Sequence, residues 1–255
     1  MKNKKSSKKL KTLLILFLIG LDTLIVTLAV LYFLLVHHPA EYRSYPPSPQ
    51  QIKLAEDAMW RKSEDYYNRM NERKPFSLQF SQSLLNTMLY HEETRPFLQT
   101  LSGQTNPSLH NFQNRFSPQR IEIISQINYL NKNLVLTIGF TPEITEQGRL
   151  RLSLQPIKIG ALPIPDRLLR DHLIRLARAL EQQKITPQKN QEGRWAASAL
   201  NQLFAKTREL VENRQVTLDP VYQALKNCRA RLIGIRLQSK QLELTFEPLP
   251  GKRSS

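Results

Sequence analysis

Gln241-Leu242-Glu243-Leu244-Thr245-Phe246-Glu247, close to the end of the chain, alternates polar and apolar residues without a break. Successive side chains of a strand point to opposite faces, so this pattern describes a strand with one apolar and one wet face. Parallel strands are covered on both sides and read as continuous apolar runs, so the alternation predicts an antiparallel sheet. Ser239-Lys240 is a tight turn from a preceding strand, Arg229 to Gln238, which carries Leu232, Ile233, Ile235 and Leu237. Three further strand patterns lie mid-chain. Arg120 to Leu130 holds Ile121, Ile123, Ile127 and Tyr129. Leu134 to Phe140 places Leu134, Leu136, Ile138 and Phe140 on one face, and Gly148 to Gln155 alternates Leu150, Leu152 and Leu154 with Arg149, Arg151 and Ser153. Asn131-Lys132-Asn133 and Glu146-Gln147-Gly148 are hairpin-compatible turns between them.

The apolar face of such a sheet needs cover, and amphipathic helices supply it. Ile52, Ala55, Met59, Tyr66 and Met70 share one helical face, and Lys74-Pro75 ends that helix. Phe76, Leu78 and Phe80 then alternate as a short strand, and Ser81 caps a helix striped by Leu84, Leu85, Met88 and Leu89. Thr100 to Pro118 reads as loop. Pro156 to Pro165 is rigid and apolar, with Asp166 as N-cap of a helix running to about Gln183. Leu168, Leu169, Leu173, Leu176, Ala177 and Leu180 mark one side of it, and Arg167, Arg170, Arg175 and Arg178 lie off that stripe. A basic amphipathic helix of this kind either lies on an anionic membrane or covers a sheet with its arginines in water; the sheet's need for a lid favours the second. Trp195, Ala199, Leu200, Leu203, Phe204, Leu210 and Val211 mark another helix, to about Asn213, and Leu218-Asp219-Pro220 turns back to the sheet. The expected fold class is α+β: a curved antiparallel sheet covered by amphipathic helices.

Far upstream, Leu13 to Val36 is almost wholly apolar over twenty-four residues. A bilayer core about 30 Å thick needs roughly 20 such residues in a helix. Lys2, Lys4, Lys5, Lys8, Lys9 and Lys11 precede this run, whereas His37, His38, Glu41 and Arg43 follow it with little net charge. The positive-inside bias therefore predicts a cytoplasmic tail (1–12), a transmembrane helix (13–36), a Pro-rich linker (37–50) and an extracytoplasmic domain (51–255) at a bacterial plasma membrane. A cleaved signal peptide is the rival; its apolar region is shorter and ends in a small-x-small site, which VHHPAEY lacks. Asp22 falls near mid-membrane, either paired with another membrane helix or protonated and tolerated. Pro39, Pro46, Pro47 and Pro49 make the linker extended and semi-rigid, a spacer between membrane and domain.

The formal net charge is +16. With the six leading lysines and Asp22 set aside, 31 basic and 20 acidic residues remain, so the exported part is basic on its own. Such a surface favours anionic partners, lipid headgroups or acidic envelope polymers, or is simply a solubilising face. The single cysteine, Cys228, makes no internal disulfide and no zinc cluster, and in a strand-like context reads as a small buried apolar residue.

FSLQFSQSLLNTML (76–89) and LVLTIGFTPEITEQGRLRLSLQPIKIGALPIP (134–165), between a linker helix and two final strands, carry a resemblance. The chain is similar to the YpmS-like family of single-span bacterial membrane proteins of unknown function, most closely in the G-x-L-x-L…I-x-I-G-x-L-P-I-P segment, Gly148 to Pro165. The resemblance covers most of the exported part and implies a surface-facing domain with no assigned reaction. The strand–helix entry and curved sheet are also similar to tubular lipid-binding domains, a likeness of fold alone.

Catalytic chemistry has no foothold in the pattern. His37, His38, His91, His110 and His172 stand in no metal spacing, and there is no G-x-S-x-G, P-loop or dinucleotide fingerprint. The expectation is a non-enzyme with no cofactor, no metal and no catalytic residue. Scattered basic residues and the predicted export argue against nucleic acid. Two functions remain. One is a binding module whose apolar groove, lined by Leu136, Ile138, Phe140, Leu152, Leu154, Leu244 and Phe246, holds a lipid or acyl chain; for most of these side chains the favoured alternative is that they pack against the two helices. The other is a scaffold that positions an envelope protein partner, such as an enzyme, at the membrane.

Overall fold

Strand pairing divides the chain into two antiparallel sheets, where alternation alone suggested one. The computed structural model describes residues 21–39, 42, 46–91, 109–129, 132–181, 201–203, 205–225 and 228–250. Helix α1 covers residues 21–36. It is followed by α2 (Pro49–Glu72), β1 (Phe76–Ser81), α3 (Gln82–Met88), β2 (Leu109–Ser117), β3 (Arg120–Tyr129), β4 (Lys132–Ile144) and β5 (Leu150–Leu154). A small hairpin, β6 (Lys158–Ile159) and β7 (Leu162–Pro163), leads to α4 (Asp166–Glu181). The chain then gives α5 (Thr207–Asn213), β8 (Gln215–Leu218), β9 (Val221–Leu225), β10 (Cys228–Gln238) and β11 (Gln241–Leu249).

The first sheet has the order β1-β11-β10-β9, and the second β2-β3-β4-β5-β8 with β6 and β7 attached to β4. Phe76, Leu78 and Phe80 of β1 face Phe246, Leu244 and Leu242 of β11 across about 160 residues of sequence. This pairing puts every apolar position of QLELTFE on one side. Ser77, Gln79, Glu243 and Thr245 lie on the other, where the Ser77 and Thr245 hydroxyls pair at 2.8 Å. Ser239-Lys240 is the tight turn expected, with Lys240 at φ 65. The β3–β4 turn falls one step earlier than expected: Lys132 and Asn133 already pair with Tyr129 and Asn128, and residues 130 and 131 lie outside the described residues.

Helix α2 starts on a capping box: Gln51 N–H donates to the Ser48 hydroxyl, and Ser48 N–H donates to the Gln51 side-chain carbonyl at 2.8 Å. Its far half brings Tyr66 edge-on to Phe76 and Phe246, at 5.5 and 5.4 Å between ring centroids. These rings, with Met70, Leu78, Leu150, Leu154, Leu210, Val216, Leu218 and Leu232, form one buried cluster joining both sheets. Ser81 caps α3 by accepting from Leu84 N–H.

Four expectations need correction. Leu109–Ser117, inside the stretch read as loop, is strand β2; its Asn-rich sequence lacks alternation, and a bulge with Asn111 at φ 52 breaks its register. Among the described residues helix α4 packs chiefly on α5, which lies on β5 and β8, so it forms an outer layer rather than the direct lid expected. Asp166, expected as its N-cap, is its first helical residue, and its carboxylate accepts from Arg214 Nη1 at 2.8 Å. The second face of β3 and β4 is not wet, since Glu122, Ile124, Val135 and Thr137 are buried there. Trp195, Ala199, Leu200, Phe204, Thr100 to Asn106 and the side chains of His172, Leu176, Leu180 and Cys228 lie outside the described residues.

Of the apolar run 13–36, residues 13–20 and the lysine tail lie outside the described residues, and 21–36 are helical. No described helix is long and apolar enough to cross a membrane. The Pro-rich linker does not hold the folded part away from this helix. Ala161 N–H donates to the Leu34 carbonyl at 2.8 Å, joining the β6–β7 turn directly to the last turn of α1.

Candidate functional site

The seven residues expected to line a groove come from β4, β5 and β11, and register shows how they meet. Phe140 of β4 pairs with Ile121 of β3 on one side and Leu154 of β5 on the other; Ile138 pairs with Ile123. Opposite residues of an antiparallel pair share a face, so these side chains form a continuous apolar patch. On the other sheet, Leu244 pairs with Leu78 and Ile235, and Phe246 with Phe76 and Leu232. Strand β10 packs against β2 and β4, so the two apolar faces meet.

Burial along the seam between them is complete at some positions and partial along a more open stretch. Phe246 and Leu154 are 3% and 8% exposed and belong to the buried cluster. Ile138, Phe140, Leu152 and Leu244 pack against that cluster yet are only partly buried. Leu136, next to Ile138 on the same face of β4 and opposite Ser125 and Ile159, is also partly buried but lies outside that cluster. Six of the seven are therefore brought together, and two of those six are core residues rather than lining. The open stretch also includes Ile121, Ile123, Ile235, Leu237 and Leu242, which the sequence reading did not single out as lining. Their alternation was the available signal; their membership of one seam depends on pairing that no local pattern encodes.

Helix α3 closes one flank of this seam. Its Leu84 and Leu85 pack against the cluster. Asn86 accepts from Asn114 N–H and donates to the Asn114 carbonyl at 2.9 Å, and the Gln82 side chain accepts from Phe116 N–H at 2.8 Å. These side chains occupy the outer edge of β2 and protect it from pairing with another strand.

Behind the seam, on the second face of the sheet, lies a polar group the sequence did not reveal. Glu122 is 3% exposed; its carboxylate accepts from Arg115 Nε at 2.5 Å and forms an ion pair with Arg120, whose Nε is 3.1 Å from the other oxygen. Arg115 sits directly across from Glu122 in the β2–β3 ladder, and Arg120 is two residues along the same strand. The arrangement clamps the hairpin and engages both carboxylate oxygens. Burial pushes the Tyr222 hydroxyl up to about 12, with nearby Asp219 adding to the shift.

A depression of about 450 Å³ along α2 is lined by Leu54, Asp57, Ala58, Arg61, Lys62 and Asp65 and includes none of the seven residues. Its mixed charges are those of a solvated helix face. Among the described residues no three His, Cys, Asp or Glu side chains converge on a metal position.

Comparison of the chain with protein-family models, with curated proteins and with solved structures finds no match. The functional reading therefore stands on the geometry of the seam and on the sequence.

Proposed function

We propose that this protein is a membrane-anchored, extracytoplasmic binding module of the bacterial cell envelope, not an enzyme, and that the open part of its inter-sheet seam holds an acyl chain. One observation carries the reading: apolar side chains from both sheets, Ile138, Phe140, Leu152 and Leu244 among them, line up on facing surfaces yet stay partly accessible. A domain interior normally packs to crystal-like density, and such side chains would then be sealed. Left open, they keep apolar area in water. Burial of one methylene is worth about 0.8 kcal/mol, so covering six methylenes gains roughly 5 kcal/mol before ordering costs.

A lipid suits the seam because of the apolar helix upstream. Leu24, Val26 and Phe33 of α1 are 54%, 60% and 69% exposed, all round a helix whose Thr27 hydroxyl is satisfied internally by Thr23. That pattern belongs in hydrocarbon, where backbone and hydroxyl groups need partners within the helix. Kinship with the YpmS-like family and a cytoplasmic N-terminus are part of the same reading and rest on the sequence.

Native mass spectrometry of the full chain purified from its own membrane tests the function. A lipid retained after detergent exchange is expected. A chain that arrives empty and instead co-purifies with an envelope hydrolase or synthase would replace this reading with that of a scaffold. Protease added to intact protoplasts should degrade the part beyond residue 50; protection of that part would overturn the orientation.

A further inference from the structure

We infer that the outward face of α4 rests on an anionic phospholipid surface, giving the protein a second membrane contact beside its apolar helix. This rests on reading residues 13–36 as a membrane anchor. The placement follows from the β6–β7 turn. The last carbonyls of a helix point beyond its C-terminal end. Ala161 N–H binds one of them, Leu34 O, at 2.8 Å. Gly160 stands at φ +59, and a Cβ there would overlap the Leu34 and Leu35 carbonyl oxygens. The turn therefore sits on the tip of α1, where the apolar run gives way to His37 and His38.

Helix α4 starts at Asp166, five residues beyond Ala161. Five extended residues reach at most about 17 Å, so its first turn stays near the tip of α1. The helix turns Leu169, Leu173 and Ala177 inward, with Ala177 fully buried. Arg167, Arg175 and Arg178 are exposed on the opposite arc, with Asp171 between them, while Arg170 flanks the inward face. Among them Leu168 is 69% exposed, although it stands on a helix of a folded domain. A leucine set among arginines beside the end of a membrane helix matches an interfacial face: the apolar side chain enters the headgroup layer and the guanidinium groups meet phosphates. A soluble acidic polymer would use the arginines and leave Leu168 idle, so the bilayer is the better occupant.

The test uses the full chain in nanodiscs with p-benzoylphenylalanine placed, in separate samples, at Leu24, Leu168 or Glu243. Illumination and mass spectrometry then report crosslinking to lipid. Leu24 should label lipid in pure phosphatidylcholine and in discs containing about a third phosphatidylglycerol. Leu168 should label lipid several-fold more in the anionic discs, and Glu243, on the polar face of the first sheet, in neither. Arg167→Gln with Arg178→Gln should bring the Leu168 yield down to its phosphatidylcholine level. If Leu24 labels lipid and Leu168 labels no more than Glu243, the α4 contact is wrong and the anchor stands. If Leu24 itself labels nothing, the anchor reading falls and takes this inference with it. Since Leu168 is exposed, its replacement leaves packing intact, and circular dichroism of each sample checks the fold.

Discussion

Truncating side chains along the seam should give two classes of stability loss. Phe246 is 3% exposed and contacts Tyr66 and Phe76, with ring centroids 5.4 and 5.8 Å away. Phe246→Ala removes a fully buried ring and leaves a cavity, which costs about 3–5 kcal/mol. Ile138 and Leu244 lie on the open stretch, partly hydrated already, and their loss leaves a wider groove rather than an empty cavity. Ile138→Ala and Leu244→Ala should each cost only about 1–2 kcal/mol, well under the roughly 2–5 kcal/mol of a sealed aliphatic site. Denaturant unfolding of the detergent-solubilised chain, followed by circular dichroism, reads the difference. A shift in midpoint without a change in slope marks a change in stability. Should Ile138→Ala and Leu244→Ala each cost 3 kcal/mol or more, by the ~2–5 kcal/mol scale of closed cores, the seam is a packed interior and holds no ligand.

Other perturbations test the surroundings of the seam. Glu122→Gln removes the charge that Arg115 and Arg120 share, and because both arginines reach solvent it should destabilise the fold by only about 1–3 kcal/mol, read by the same unfolding assay. Asn86→Ala strips the Asn114 N–H and carbonyl of their partner, costing about 1–3 kcal/mol. It also bares the β2 edge, so light scattering on warming should show earlier association than in the parent chain. The folded-state pKa of Tyr222 lies above the value near 10 of an unfolded tyrosine. Its contribution is therefore complete below pH 10 and is lost as pH rises toward about 12. Tyr222→Phe should make the alkaline loss of stability shallower over that window.

The strands that alternate cleanly were legible in the sequence because burial on one face writes itself into every second residue. β5 shows this at Leu150 and Leu154, whereas in the middle of β4 the fully buried positions are Val135, Thr137 and Gly139, the set opposite to the apolar Leu136, Ile138 and Phe140. What was not legible is pairing. β1 meets β11 across most of the chain, and no local pattern announces that contact or the division into two sheets. β2 escaped because its edge position lets Asn, Gln and His stand where a central strand would need apolar residues, with α3 amides serving its outer edge. β8 and β9 escaped because each is short and they are separated only by Asp219 and Pro220. Glu122 and Thr137 look like wet-face residues, and only the fold shows that they are covered. The seven groove residues all stand at the apolar positions of alternating strands. Alternation carries no information on how tightly the facing sheet closes, so Leu154 and Phe246 could not be told from Ile138 and Leu244.

Filling the seam tests the proposed function most directly. Ile138→Trp places a larger apolar side chain on the partly exposed stretch, against the flank of the buried cluster that holds Phe246. Native mass spectrometry of the parent and the variant, purified side by side from the same membrane, should show a retained lipid on the parent and its loss from a variant that unfolds at an unchanged or higher denaturant concentration. A folded Ile138→Trp chain carrying as much lipid as its parent would place the lipid elsewhere and contradict the assignment of the seam.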